Sequence, residues 1–133
     1  MAVDPGTDSR HAVRETGLAF NDAITRRDLV ALGDLMTDDH TFIDTEENVL
    51  SGREDVLSAW RGFFEAFTDY RNVWTDLTVK GELIAVGHST CATEPELDGP
   101  AIWAATVRTD SVSLWRVYTD APENRIQLGL DPA

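Results

Sequence analysis

The sequence predicts an α+β domain with its helices packed on one curved antiparallel sheet. Three observations lead there. Apolar residues recur every three to four positions through the first half of the chain, and the period changes to two after residue 70. The order helix, helix, strand, helix and then a run of strands segregates helices from an antiparallel sheet, where a parallel sheet would alternate the two. With 133 residues, 42% hydrophobic and 26% charged, the chain can bury one real core and has no room for a second domain.

Residues 1–9 hold Pro5, Gly6 and small polar groups without periodicity. They are expected to form a mobile N-terminal tail, with a cap at Asp8 or Ser9 and a single domain over 10–133. The stripe Ala12/Val13, Thr16, Ala19/Phe20 and Ala23/Ile24 predicts a first helix over about 10–27. Asp28 is placed to cap a shorter second helix with Leu29, Leu32, Leu35 and Met36 on one face. Residues 40–45 are β-branched and aromatic and predict a strand, on which alternation puts His40, Phe42 and Asp44 on a common face. Residues 46–48 are turn-like, and Ser51-Gly52-Arg53-Glu54 has the form of a capping box. The helix it opens has the strongest stripe in the chain, Val56/Leu57, Trp60, Phe63/Phe64 and Phe67. Strands are predicted over 73–80, 83–92, 101–109, 112–118 and 126–130.

The charge excludes some partners. Asp and Glu number 24 against 11 Lys and Arg, a net charge of −13, so no basic stripe exists to replace counterions on nucleic-acid phosphates or to meet an anionic membrane. Most acidic residues fall at expected turns, caps and tails, as a solvated shell. The one cysteine, Cys91, excludes an internal disulfide and suits a reducing compartment. There is no signal-like or membrane-spanning apolar run, and the expected location is cytoplasmic.

Strong catalytic motifs are missing: no glycine-rich phosphate loop, no Gly-x-Ser-x-Gly, no His-Glu-x-x-His and no Cys-x-x-Cys. His11, His40 and His88 are scattered, and His88 with Cys91 is an isolated His-x-x-Cys, so neither a metal nor a cofactor is expected. Asp44 is the unusual carboxylate. If the Phe42 face is the buried one, Asp44 goes in with it, and an apolar setting would raise its pKa and make it a general base. The other reading of the same residue is a cap on the following turn at the sheet edge.

The segment Asp-Leu-Val-Ala-Leu-Gly-Asp-Leu-Met-Thr-Asp-Asp-His-Thr-Phe-Ile-Asp at 28–44, followed by Ser-Gly-Arg-Glu-Asp-Val at 51–56, resembles the nuclear transport factor 2-like superfamily. The similarity runs from about residue 12 to 130 and is greatest to the ketosteroid isomerase and SnoaL-like polyketide cyclase branch. The resemblance implies a cone: a curved sheet wrapped around three helices, of the cystatin-like roll type. It also implies a deep apolar pocket for a hydrophobic small molecule and a homodimer formed through the outer sheet surface. Asp44 falls on the aspartate that shuttles a proton in ketosteroid isomerases.

The remaining isomerase residues do not carry over. The oxyanion-holding tyrosine and protonated aspartic acid of that family fall on Phe20 and near Ser113, and the supporting tyrosine of the third helix falls on Trp60. Losing donors worth roughly 3 kcal/mol each makes steroid isomerisation a poor expectation. An epoxide hydrolase of the same superfamily would need an Asp-Arg-Asp network, of which Arg108 and Asp110 are a faint echo. The expected function is therefore either cofactor-free acid/base chemistry on a ring-containing ligand, as in an isomerase, cyclase or dehydratase, or ligand binding or dimerisation without catalysis. Asp44 and His88 are the catalytic candidates. His40 stands about 13 Å along the strand from Asp44 and could touch the same ligand. Phe20, Phe42, Trp60, Phe64, Ser113 and Trp115 complete the expected pocket, since flat aromatic walls suit planar ligands.

Overall fold

The computed structural model describes residues 5–132, with side chains from residue 10. Three helices, α1 (Pro5–Arg26), α2 (Leu29–Asp34) and α3 (Arg53–Ala66), pack on one face of a curved six-stranded sheet. The strands are β1 (Met36–Ile43), β2 (Val49–Ser51), β3 (Arg71–Lys80), β4 (Glu82–Thr90), β5 (Gly99–Arg108) and β6 (Ser111–Thr119), and α4 (Pro122–Gln127) follows. They lie in the order β2-β1-β6-β5-β4-β3, with β1 and β6 parallel and every other pair antiparallel. The α+β class and the helix-then-sheet order are as the sequence predicts.

Local chemistry explains most boundaries. Asp28 Oδ1 accepts from the Ala31 amide at 3.0 Å, so α2 follows α1 with almost no loop. Gly17 lets α1 lie close on the sheet, because a Cβ there would stand 2.2 Å from Leu83 Cδ2. The expected capping box does not form. Gly52 is the residue before α3, at φ +99°, and no side chain caps the helix. Ser51 instead ends β2 and shares a 3.1 Å hydrogen bond with Thr41 of β1, the residue it faces in register. A strand too short to show periodicity has taken the serine that the motif needed.

Both chain ends depart from expectation. The first helix begins at Pro5, five residues before the expected start, so only residues 1–4 of the expected tail lie outside the described residues. Pro at the first helical turn loses no intrahelical bond, and periodicity is blind to it. Residues 126–130 do not continue the sheet. Pro122 opens α4, and Leu128 and Leu130 then pack with Ile84, Ile102 and Ala104 on the sheet face opposite α1, α2 and α3. Arg125 anchors this segment on Asp120, with Nε–Oδ1 at 2.6 Å and Nη2–Oδ2 at 2.8 Å. Any pairing of two copies through that face has to build on this segment or displace it.

The main core lies between the helices and the sheet. Phe20, Ile24, Leu32, Val56, Leu83, Trp103, Val112 and Trp115 are all at most 1% exposed within it. None of the helices described is long and apolar enough to cross a membrane.

Candidate functional site

The core is not filled to its edge. Between α3, the open ends of β1 and β6 and the start of β3 lies a cavity of about 450 Å³, walled by Phe42, Trp60, Phe63, Trp115 and Val117. Helix register supplies one wall: Val56, Trp60 and Phe63 fall on the stripe of α3 that faces the sheet. Trp60 meets Phe42 and Phe63 edge-on, with ring centres 5.7 and 5.6 Å apart. Trp115, fully buried, is stacked on Trp74 at 5.7 Å and forms part of the opposite wall. Flat rings held by other flat rings give a rigid, slot-like interior.

Polar groups sit at two levels. At the rim are Asp44, Thr45 and Glu46; further in are Tyr70, Asn72 and Trp103. Asn72 is 6% exposed and is tied to α1 by a reciprocal amide pair: its Nδ2 donates to Asn21 Oδ1 at 3.1 Å, and Asn21 Nδ2 donates to the Asn72 carbonyl at 3.5 Å. Burial pushes the Tyr70 hydroxyl up to about 12, with the nearby Ser89 and Asn72 side chains offsetting only part of this, so it stays a neutral donor at any physiological pH.

Asp44 does not sit in an apolar interior. It follows the last residue of β1 and closes the turn to β2: Oδ1 accepts from the amides of Glu46 at 2.9 Å and Asn48 at 3.0 Å, and Oδ2 from Asn48 Nδ2 at 3.0 Å. What burial it has would raise its pKa. The bonds from Asn48 and Glu46 outweigh that and hold it below the usual carboxylate range. The expected raised pKa is thus corrected to a lowered one. Of the two readings of Asp44, the turn cap is the one seen, with its carboxylate at the rim of the cavity.

A helical layer on a curved, unclosed sheet with an aromatic cavity at one end agrees with what comparison finds. Residues 18–121 match the SnoaL-like domain. The chain belongs to that family. No curated protein matches it. Among solved structures, it is similar to a protein from Jannaschia sp. CCS1 called a SnoaL-like polyketide cyclase. That pair shares 19% identity at TM-score 0.73, covering 90% of this chain and 91% of the other. It is also similar to an uncharacterized cystatin-fold protein from Novosphingobium aromaticivorans (19% identity, TM-score 0.70, 79% and 96% covered). An NTF2-like protein of unknown function from Cytophaga hutchinsonii follows at 13% identity and TM-score 0.66, with 80% and 88% covered. At such identities the likeness speaks for the fold.

Within this SnoaL-like domain only some of the expected site residues come together. Phe42, Trp60 and Trp115 line the cavity with Asp44 at its rim. Phe20 and His40 lie behind the wall, both fully buried: Phe20 packs between His40 and Trp115, with ring centres 5.6 and 4.5 Å away. His40 faces inward as alternation requires, yet its Nδ1 is engaged by the Val112 carbonyl at 2.6 Å. Phe64 belongs to the core against Trp60, 5.4 Å away.

Two expectations are overturned by strand geometry. The β4 residues Leu83 and Ala85 face the helices, which turns Ile84, Val86 and His88 outward. His88 is therefore half-exposed and bonded to Asp98 at 3.0 Å, on the face away from the cavity that Asp44 rims. Ser113 falls in a bulge: Val107 faces Val112 while Thr106 faces Leu114, so Ser113 has no opposite residue. That extra residue breaks the alternation between Ser113 and Trp115, and the serine hydroxyl bonds the Thr106 carbonyl at 3.3 Å, away from the cavity. Arg108 is exposed and pairs with Asp39, with no part in the cavity.

Sequence reasoning missed Tyr70, Asn72 and the role of Trp103. A signal was present for Asn72, which alternates with Trp74 and Tyr70 on a face otherwise apolar; it is a polar residue on a core face, the same argument applied to Asp44.

Proposed function

We propose that this chain is a small-molecule binding protein whose cavity takes a hydrophobic, ring-containing ligand edge-first between Trp60 and Trp115. The observation that carries this reading is the cavity itself: about 450 Å³, walled by aromatic rings, with polar side chains confined to its rim and inner end. Family membership supports it, as SnoaL-like relatives are called polyketide cyclases.

Binding without proton transfer is favoured over acid/base catalysis by the state of Asp44. A carboxylate that accepts three N–H bonds and titrates below its usual range holds a proton too weakly to draw one from carbon. His88, the expected acid partner, faces away. The rim carboxylates Asp44 and Glu46 select against anionic ligands, in keeping with a net charge of −13.

Equilibrium dialysis against a neutral hydroxyanthraquinone tests the reading. Saturable binding at one site per chain is expected. The substitution Ala59→Phe, on an exposed α3 residue lining the cavity, should weaken it at least tenfold with an unchanged melting temperature. Absence of saturable binding, or equal binding by the variant, would remove this cavity as the site.

A further inference from the structure

Leu97 lines the cavity and belongs to neither apolar cluster of the protein. In this it differs from its neighbours. Every other large apolar residue of the cavity wall, such as Phe42, Trp60, Trp103 or Trp115, is also part of the main core, where it would be needed whether or not a ligand ever entered. Leu97 comes instead from the connection between β4 and β5, where Thr93, Glu96 and Asp98 are exposed. A leucine fully in water would need no explanation. This one is half-buried, and what it borders is the cavity.

Hydrogen bonds hold the residue where packing does not. Its amide donates to the Glu94 carbonyl at 3.0 Å, within the short 3-10 turn that Pro95 opens, and its carbonyl accepts from Ser89 Oγ at 2.7 Å. Beside it, Asp98 pairs with His88 of β4 at 3.0 Å. The far end of the connection is fixed as well: Asp69 accepts from the Ala92 amide at 2.8 Å and from the Thr93 hydroxyl at 2.9 Å. A main chain tied down at both ends has less freedom to lose when its side chain meets a ligand, so more of the contact appears as affinity.

Resting on the binding reading above, we propose that the β4–β5 connection is a cover for the cavity and that Leu97 is its ligand-contacting residue, closing on a bound neutral ring. The aromatic walls serve both the fold and the ligand. Leu97 serves the ligand alone.

That division makes the test, which uses 2-naphthol as the probe and the full-length chain carrying 13C-labelled leucine methyl groups. Nuclear Overhauser contacts are expected between the naphthol ring protons and the Leu97 methyls. The variant Leu97→Ala should bind 2-naphthol about fivefold or more weakly, as apolar surface that the ring covered is removed. Its urea midpoint should equal that of the wild type, because no core contact is lost. Leu97→Met, similar in volume and apolar, should restore affinity to within about twofold. Saturable binding without contacts to Leu97, or with equal affinity in Leu97→Ala, would overturn the cover while the cavity reading stands. A urea midpoint that falls along with the affinity would assign Leu97 to the fold and overturn it equally. Absence of saturable 2-naphthol binding by the wild type at millimolar concentration would overturn both readings.

Discussion

Strand β5 turns Ala101, Trp103 and Ala105 toward the helices and Ile102 and Ala104 to the other side, so adjacent residues of one strand belong to two different worlds. On the outer face, Ile102 is as fully buried as any core residue, because Leu128 and Leu130 of the chain's own C-terminal segment lie over it. On the inner face, Trp103 is just as buried, but its indole N–H is left without a partner beside an open cavity. The outer face is closed mainly by apolar contacts from that segment, although Arg116 Nε on the same face is buried without a partner. The inner face is closed along α1 and left unfinished near α3. Burial alone does not distinguish the two faces; what does is that one is covered by the chain's own C-terminal segment and the other borders open space.

The contrast can be broken most forcefully at Trp115, which is fully buried, packs Phe20 and Trp74 and also forms the cavity wall. Trp115→Ala should cost about 3–5 kcal/mol in urea denaturation. A loss under about 1 kcal/mol would mean that the wall is not part of the core. Next in size is removal of residues 121–133, which uncovers Ile84, Ile102 and Ala104. The shortened chain is expected to melt several degrees lower and to self-associate in sedimentation velocity, and an unaltered sedimentation coefficient would show that the segment does not guard that face.

A smaller effect separates the two faces by pH. Burial holds the His40 pKa below its ordinary value, against the opposing pull of the Val112 carbonyl and Asp39. The unfolded chain therefore takes up a proton, near pH 6.5, that the folded chain refuses. Stability should be full above that pH and fall as pH drops through it. The carboxylates held low by hydrogen bonds, such as Asp69 by Thr93 and Asp120 by Arg125, lose their contribution only at more acid pH, below about 4. His40→Asn should flatten the stability profile between about pH 6.5 and 5, measured by urea midpoints. A wild-type profile already flat there would refute the assignment. The smallest change is expected for Asp44→Asn, which retains most of the turn bonding: under about 1 kcal/mol in stability and under about threefold in 2-naphthol affinity. A larger affinity loss would return Asp44 to the centre of the site.

Much of the fold was legible because it depends on local rules. The stripes of α1 and α3 and the Asp28 cap follow from spacing and from one side-chain oxygen. Helix register and unbroken alternation are what bring Trp60 and Phe42 together at the cavity wall. Ser113 was misplaced by one bulge residue, and His88 because spacing does not tell which side of a two-sided strand meets the helices. Asp44 had two readings in the sequence; the strand ends one residue before it, and the amides of the turn select the cap.

By itself, then, the sequence determined the class of fold, the helical stripes and the presence of more aromatic surface than a small core needs, since each depends on periodicity and composition. Tertiary structure decided which of those aromatics face empty space, where the chain's C-terminal segment lies, and which polar atoms are left without partners. Those depend on which strand face meets which helix, a global choice that a single-residue bulge reverses.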